Sequence, residues 1–293
     1  MTASAPTKPT EIVVITGAST GIGAAAAREL ARQGFRVLAG VRRDRDADAI
    51  RGPGIEPLIL DITNGDHIRA LTARVHEGMR VRALVNNAGI GVNVPVETFP
   101  IDQWRRLFEV NLFGHIAVTQ ALLPELIRSR GRVVNISSVG GRIAMATYGP
   151  YAGTKFALEA VSDSLRRELA ATGVQVVVVE PGAVRTEMPG RAIAGANELV
   201  SKMTPEQNQR YGGLVHAITA QTAAHTDSGL PADAAANVIA KVVMARNPRT
   251  RYTVGRDAAL LTRLARILPD RTLDRLFATA LRRHFPRESG SSD

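Results

Sequence analysis

Cysteine is absent from the 293 residues. That excludes a disulfide framework, an iron–sulfur cluster, a thiolate zinc site and a cysteine nucleophile. The histidines are His67, His76, His115, His216, His225 and His284, and they form no H-x-x-x-H or H-E-x-x-H pair, so no protein-held metal is expected. No run of about 18 apolar residues occurs, which argues against a membrane span. Residues 1–10 are polar, carry two prolines and lack an apolar centre. No signal peptide is read there, and a cytoplasmic protein is expected. Low-complexity tracts are also missing. With 45% apolar and 22% charged residues, the composition is that of a globular protein large enough to bury its own core.

Lysine is scarce, with four residues against 33 arginines, yet the formal net charge is +10. Residues 246–293 hold eleven arginines and five acids, so +6 of that charge sits in the last sixth of the chain. Basic balance alone fits nucleic acid or an anionic membrane surface. No zinc-finger, RNA-binding aromatic or basic-zipper pattern accompanies it, and no nucleic-acid partner is expected.

Short β-branched or apolar runs at 11–16, 35–41, 55–60, 83–85, 133–136 and 174–179 predict strands. Helical spacing covers 24–33, 65–77, 101–130 and 151–171. Strands and helices alternate through short connections, and the strands are apolar throughout. The pattern predicts an α/β fold with a doubly wound parallel sheet. Residues 1–10 read as a flexible N-terminus and 11–255 as one dinucleotide-binding catalytic domain. Within it, 189–230 breaks the rhythm and reads as a substrate loop or lid with a helix over 205–219. A helix over 231–246 and a strand over 251–254 follow. Residues 256–293 read as a basic helical tail, amphipathic over 258–267 and 271–282, with Leu260, Leu264, Ile267, Leu273, Leu276, Phe277 and Leu281 on its apolar side. Such a helix packs on its own domain or lies on an anionic membrane; packing is the preferred reading, with peripheral membrane contact as the alternative.

Three motifs carry chemistry. Gly17, Ser19, Thr20, Gly21, Ile22 and Gly23 lie between the first strand and the first helix. Glycines there allow a tight turn, and a helix N-terminus offers free N–H groups to a pyrophosphate. Tyr151 and Lys155 are four residues apart and share one helix face. A cation beside a phenol favours phenolate, which makes the tyrosine a proton donor or acceptor near neutral pH. Ser138 ends the fifth strand, where ligands sit in open α/β sheets.

These motifs, in this order, with Asn86-Asn87-Ala88-Gly89 after the fourth strand and Pro181-Gly182 after the sixth, resemble the short-chain dehydrogenase/reductase family. The resemblance spans about residues 11–255 and implies a Rossmann-like oxidoreductase. It implies that Tyr151 moves the proton, Lys155 lowers the Tyr151 pKa and bonds the nicotinamide ribose, Ser138 polarises the substrate oxygen, and Asn111 completes a water-linked relay. It further implies Asp61 and Ile62 at the adenine, Asn87 and Gly89 under the cofactor, Pro181, Gly182 and Val184 at the nicotinamide, and Thr186 at the cofactor's phosphate or amide. Asn86 is expected to tie strands together.

Relatives selective for NAD place an acid at the end of the second strand. Here Val41 occupies that place and Arg42 follows, suited to a 2′-phosphate, so NADP(H) is expected in preference to NAD(H). Residues 138–145 and 156–168 look like the steroid and retinol dehydrogenase branch. That implies a bulky apolar alcohol or ketone. Val92, Val94, Ile143, Met145, Tyr148 and Met188 are the candidate pocket, with Arg142 and Arg185 facing solvent. The alternatives are a 3-oxoacyl thioester reductase and a non-catalytic NADPH-binding regulator. The family resemblance also implies a homodimer or homotetramer.

Overall fold

The structure, a computed structural model, describes residues 11–75 and 79–285. The expected flexible segment 1–10 lies outside the described residues, as do Glu77, where the 65–77 helix was expected to end, and 286–293 at the end of the tail.

In chain order the first half comprises β1 (Glu11–Ile15), α1 (Gly21–Arg32), β2 (Arg36–Val41), α2 (Asp44–Ile50), β3 (Ile55–Ile59), α3 (Gly65–Val75), β4 (Arg80–Asn86), α4 (Ile101–Phe108) and α5 (Gly114–Ser129). Then come β5 (Arg132–Ile136), α6 (Gly149–Glu168), β6 (Gln175–Pro181), β7 (Val184–Arg185), α7 (Glu187–Val200) and α8 (Pro205–Asp227). The chain continues through β8 (Leu230–Pro231), α9 (Ala232–Met244), β9 (Arg251–Val254), α10 (Arg256–Ile267) and α11 (Asp270–Arg282).

Seven strands form one sheet in the order β3-β2-β1-β4-β5-β6-β9, every pair parallel. Alternation along β1 shows why the strand is apolar throughout. Val13 and Ile15 face the alanines of α1 and Ala235, Ala236 and Ile239 of α9. Ile12 and Val14 face Leu71 and Val75 of α3 and Leu122 and Leu126 of α5. Both sheet faces are covered, so both residue parities must be apolar. The small side chains Ala24–Ala27 let α1 lie close against α9. Strand order reverses between β1 and β4, and the crevice at that reversal is where such sheets bind ligands.

A π-helical segment, Glu109–Phe113, joins α4 to α5 in one continuous helical run. This run is long and apolar enough by composition to cross a membrane. Half of its most apolar window is buried within the protein, as suits a core helix, and it packs on β4 and α3.

The 189–230 region is largely helical: α7 stands where a loop was expected, and the helix expected over 205–219 is α8, which runs on to Asp227. Pro189 falls in the first turn of α7, where its missing N–H costs little. At α8, Thr204 accepts from the Gln207 N–H and the Gln207 side chain accepts from the Thr204 N–H, a reciprocal cap that starts the helix firmly. The helices α10 and α11 pack on the domain: Ala258 and Leu261 join Val139, Ile143 and Met145, and Leu281 joins Ala217 and Ile218. Leu260, Ile267 and Leu276 on these helices face solvent instead.

Candidate active site

The turn after β1 is built for close approach. Gly17 and Gly21 take φ of +66° and +56°, a region that L side chains disfavour. Thr16 Oγ1 accepts from the backbone N–H groups of Asn87 and Ala88, each at 3.0 Å. Asn87 Nδ2 donates to the carbonyls of Thr16 and Gly17, also at 3.0 Å. The ends of β1 and β4 are thereby locked together at the sheet's reversal point. Asn86 ties the next layer, donating to Thr119 Oγ1 and Asn135 Oδ1.

From this turn opens a cavity of about 1690 Å3. A drug-sized ligand needs roughly 300–1,000 Å3, so there is room for a dinucleotide and a second molecule. One end is lined by Val41, Arg42, Asp61 and Ile62, the middle by Gly17, Ser19, Thr20, Gly21 and Ile22 with Asn87 and Gly89. The other end holds Ser138, Tyr151 and Lys155 with Pro181, Gly182 and Val184, while Thr186 lies over the turn, its methyl 3.1 Å from where a Cβ on Gly21 would stand. Beyond them lie Met145, Tyr148, Met188 and Leu261. Donor turn, open cradle and apolar far lobe fit an extended dinucleotide with a substrate beside it.

Five expected site residues do not line the cavity. Gly23 lies beneath the turn, where the Gly17 carbonyl and Asn87 amide leave no room for a side chain. Val92 and Val94 are buried with Phe99, Leu107 and Leu199, and Ile143 with Val139 and Ala258. These three pack behind the wall because the intervening residues of their loops face the lumen. Asn111 is fully buried in the π-helical segment. Its Oδ1 accepts from the Ile90 N–H at 2.9 Å, and its Nδ2 donates to the Ile90 carbonyl at 2.8 Å and Thr154 Oγ1 at 3.2 Å. Both amide hydrogens are committed, so the side chain clamps the loop at Ile90 to Thr154 of α6.

Arg142 is also not at the solvent surface as expected. It faces Glu159 and Glu180 with its side chain 22% exposed. Arg105, Arg106, Thr222 and His225 line the cavity and were not anticipated. Their positions come from α4 and α8, and no local motif marks them.

Arg43 is taken by Asp46 at 2.7 Å. Arg42 lines the cavity and makes no ion pair among the described residues.

Lys155 is 4% exposed and Nζ donates to the Ile136 carbonyl at 2.9 Å. Its Nζ lies 5.9 Å from the Tyr151 ring centre. Burial pushes the Tyr151 phenol up to about 12, against the lowering hydrogen bond from Ser138. Burial also pulls Lys155 down to about 8, with the Glu159 charge opposing. Desolvation of the phenolate is the largest of the effects on the Tyr151 phenol. The Tyr151 phenol therefore keeps its proton near neutral pH.

The family model for short chain dehydrogenases matches residues 11–196. Over 281 residues the chain is 32% identical to the NADPH-dependent 3-dehydrocapnine reductase of Ornithobacterium rhinotracheale, covering 92% of this chain and 97% of that one. Over 260 residues it is 37% identical to retinol dehydrogenase 16 of Homo sapiens, covering 85% and 82%. A crystal structure of a short-chain dehydrogenase from Streptomyces avermitilis superposes with a TM-score of 0.73 at 29% identity, covering 93% and 95%.

Proposed function

The chain belongs to the short-chain dehydrogenase family and is an NAD(P)-dependent oxidoreductase acting on CH–OH groups; on that premise we propose that it uses NADP(H) and interconverts a bulky apolar alcohol with its ketone or aldehyde. The observation that carries this reading is one wall on which Ser138, Tyr151 and Lys155 meet, with an arginine at the far end of the same cavity that makes no ion pair among the described residues.

Bound in this cradle, the cofactor supplies or takes up a hydride at the nicotinamide C4. Ser138 orients the substrate oxygen by hydrogen bonding. Tyr151 Oη donates its proton to that oxygen in reduction and accepts one in oxidation. The Lys155 ammonium stabilises the phenolate left behind and reaches the nicotinamide ribose. Asn111 holds the 89–91 loop and Thr154, and so fixes the floor under the reacting groups. Asp61 and Ile62 border the adenine. Val184 would border the nicotinamide amide, Thr186 the cofactor's phosphate or amide, and the turn from Gly17 to Ile22 would face the pyrophosphate.

Arg42 is the choice for the 2′-phosphate, because no acid stands at the end of β2 and the guanidinium makes no ion pair among the described residues. The NADPH-dependent bacterial relative points the same way. Arg42→Ala should weaken NADPH binding by about 10–100-fold, the size of a lost charge-assisted contact. NADH binding should change by less than about twofold. Fluorescence titration with both cofactors checks this, and an equal loss for both sinks the assignment.

Met145, Tyr148, Met188 and Leu261 make the substrate lobe apolar. NADPH oxidation by the purified protein should be fastest with steroid ketones or retinal and slow with an acetoacetyl thioester. Preference for the thioester would move the protein to fatty-acid reduction.

A further inference from the structure

Behind the wall that carries Ser138 and Lys155, charged side chains from four separate segments meet away from solvent. Glu159 stands on α6 one turn after Lys155, and Glu180 stands on β6; they are 5% and 3% exposed. Arg251 of β9 reaches both, with Nε 3.0 Å from Glu159 Oε2 and 3.5 Å from Glu180 Oε1. Its Nη2 also meets Asp163 Oδ1 at 3.0 Å. Arg142, four residues after Ser138, lies 4.0 Å from Glu159 Oε2 and 3.8 Å from Glu180 Oε1. Thr253 Oγ1 donates to Glu180 Oε2 at 2.9 Å.

A buried ion cluster is weak evidence for stability, because apolar side chains of the same volume often do as well. The position of this one suggests another use. Lys155 has no carboxylate within ion-pair distance among the described residues, and its one hydrogen-bond acceptor there is the neutral Ile136 carbonyl. The titratable groups facing it are few. Tyr151 lies on the same helix and stays protonated near neutral pH. His115 of α5, pushed down to about 3 by burial and the Lys155 charge, is neutral and donates Nε2–H to the Ala88 carbonyl. Glu159 is the acid that works in favour of the ammonium.

We propose that Glu159 is a positioning residue for Lys155. Its carboxylate, held by Arg251 and Arg142 against the repulsion of the neighbouring Glu180, keeps the buried ammonium charged while the site operates. Through Arg251 it also fastens the last strand, and so the start of α10 at the substrate lobe, to the catalytic helix. The proposal rests on the reading of Lys155 given above.

Removing the anion disfavours the cation, so Lys155 loses its proton at lower pH. Glu159→Gln should move the alkaline limb of kcat/KM for carbonyl reduction by NADPH acidward by about one pH unit. The rate well below the limb should be preserved. Asp163→Asn removes another acid from Arg251, farther along α6, and should leave the limb in place. Glu159→Asp should restore most of the wild-type profile. Should the single variant not fold, Glu159→Gln with Arg251→Gln removes the pair together and is read in the same way. An unmoved limb in the folded Glu159 variant overturns the proposal, and so does an equal displacement in Asp163→Asn. Lys155→Met separates the two ideas. Wild-type turnover in Lys155→Met would remove the reading of Lys155 itself. Lost turnover there, with an unmoved limb in Glu159→Gln, would remove only the role of Glu159.

Discussion

Tyr151→Phe is expected to lower kcat for carbonyl reduction about a thousandfold while leaving the NADPH dissociation constant within about threefold of wild type. The substitution deletes one oxygen from a ring that stays packed in α6, so helix and cradle persist. What disappears is the proton. The phenol holds it up to about 12 because burial penalises the phenolate, so at neutral pH the wild-type site always has one to give. No neighbour replaces it: Ser138 is too weak an acid, and Lys155 is tied to the Ile136 carbonyl. The pH dependence follows with its sign. In reduction, activity should be level through neutral pH and fall first where Lys155 deprotonates, near 8, well before Tyr151 titrates. Steady-state rates and a fluorescence titration on the same preparation check both halves. Retained turnover would assign the proton to another group, and lost cofactor binding would make Tyr151 structural.

What the sequence made legible here is local. The turn from Gly17 to Gly23 and the Tyr151–Lys155 pair each lie within one strand–turn–helix or one helical turn, so residue spacing alone places their side chains. The parallel sheet was legible too, because strands buried on both faces have no polar parity to hide behind. What failed to show depends on packing between distant segments. Val92 and Val94 are as apolar as Met188, and only the fold decides that the first two face α4 and α7 while the third faces the cavity. Arg142 reads as a solvated arginine until Glu159, Glu180 and Arg251 arrive from elements up to about a hundred residues away. Only α7 was obscured, by Pro189, Gly190 and Gly195, residues that weaken helix propensity but are tolerated when the first turn is proline-compatible; α8 was expected over 205–219 and runs on to Asp227.

Gly23→Ala tests the cradle independently of the chemistry. A Cβ at Gly23 would stand 2.3 Å from the Gly17 carbonyl oxygen and 2.4 Å from Asn87 Nδ2. Both are far inside van der Waals contact. Neither neighbour is free to retreat: the carbonyl belongs to the turn, and the Asn87 amide is pinned by its bonds to Thr16 and Gly17. The added methyl must therefore open the turn, break the Asn87 clamp between β1 and β4, and lift the N-terminus of α1 away from the pyrophosphate. Overpacking of this kind costs about 1–3 kcal/mol in stability. The loss in binding should be larger, because the backbone N–H groups at a helix start act only when aimed together. The expected result is at least about a hundredfold weaker binding of NADPH and NADH alike, with a chain that still folds. Equal loss for both cofactors separates this site from Arg42, whose effect should fall on NADPH. Gly190→Ala is the matched control. It lies in α7 with nothing within 4 Å of its added Cβ, and alanine there should stabilise the helix by about 0.5–1 kcal/mol without touching cofactor affinity. Thermal melting and cofactor titration of the two variants side by side decide the matter. If Gly23→Ala binds NADPH as tightly as wild type, the turn is not what holds the pyrophosphate.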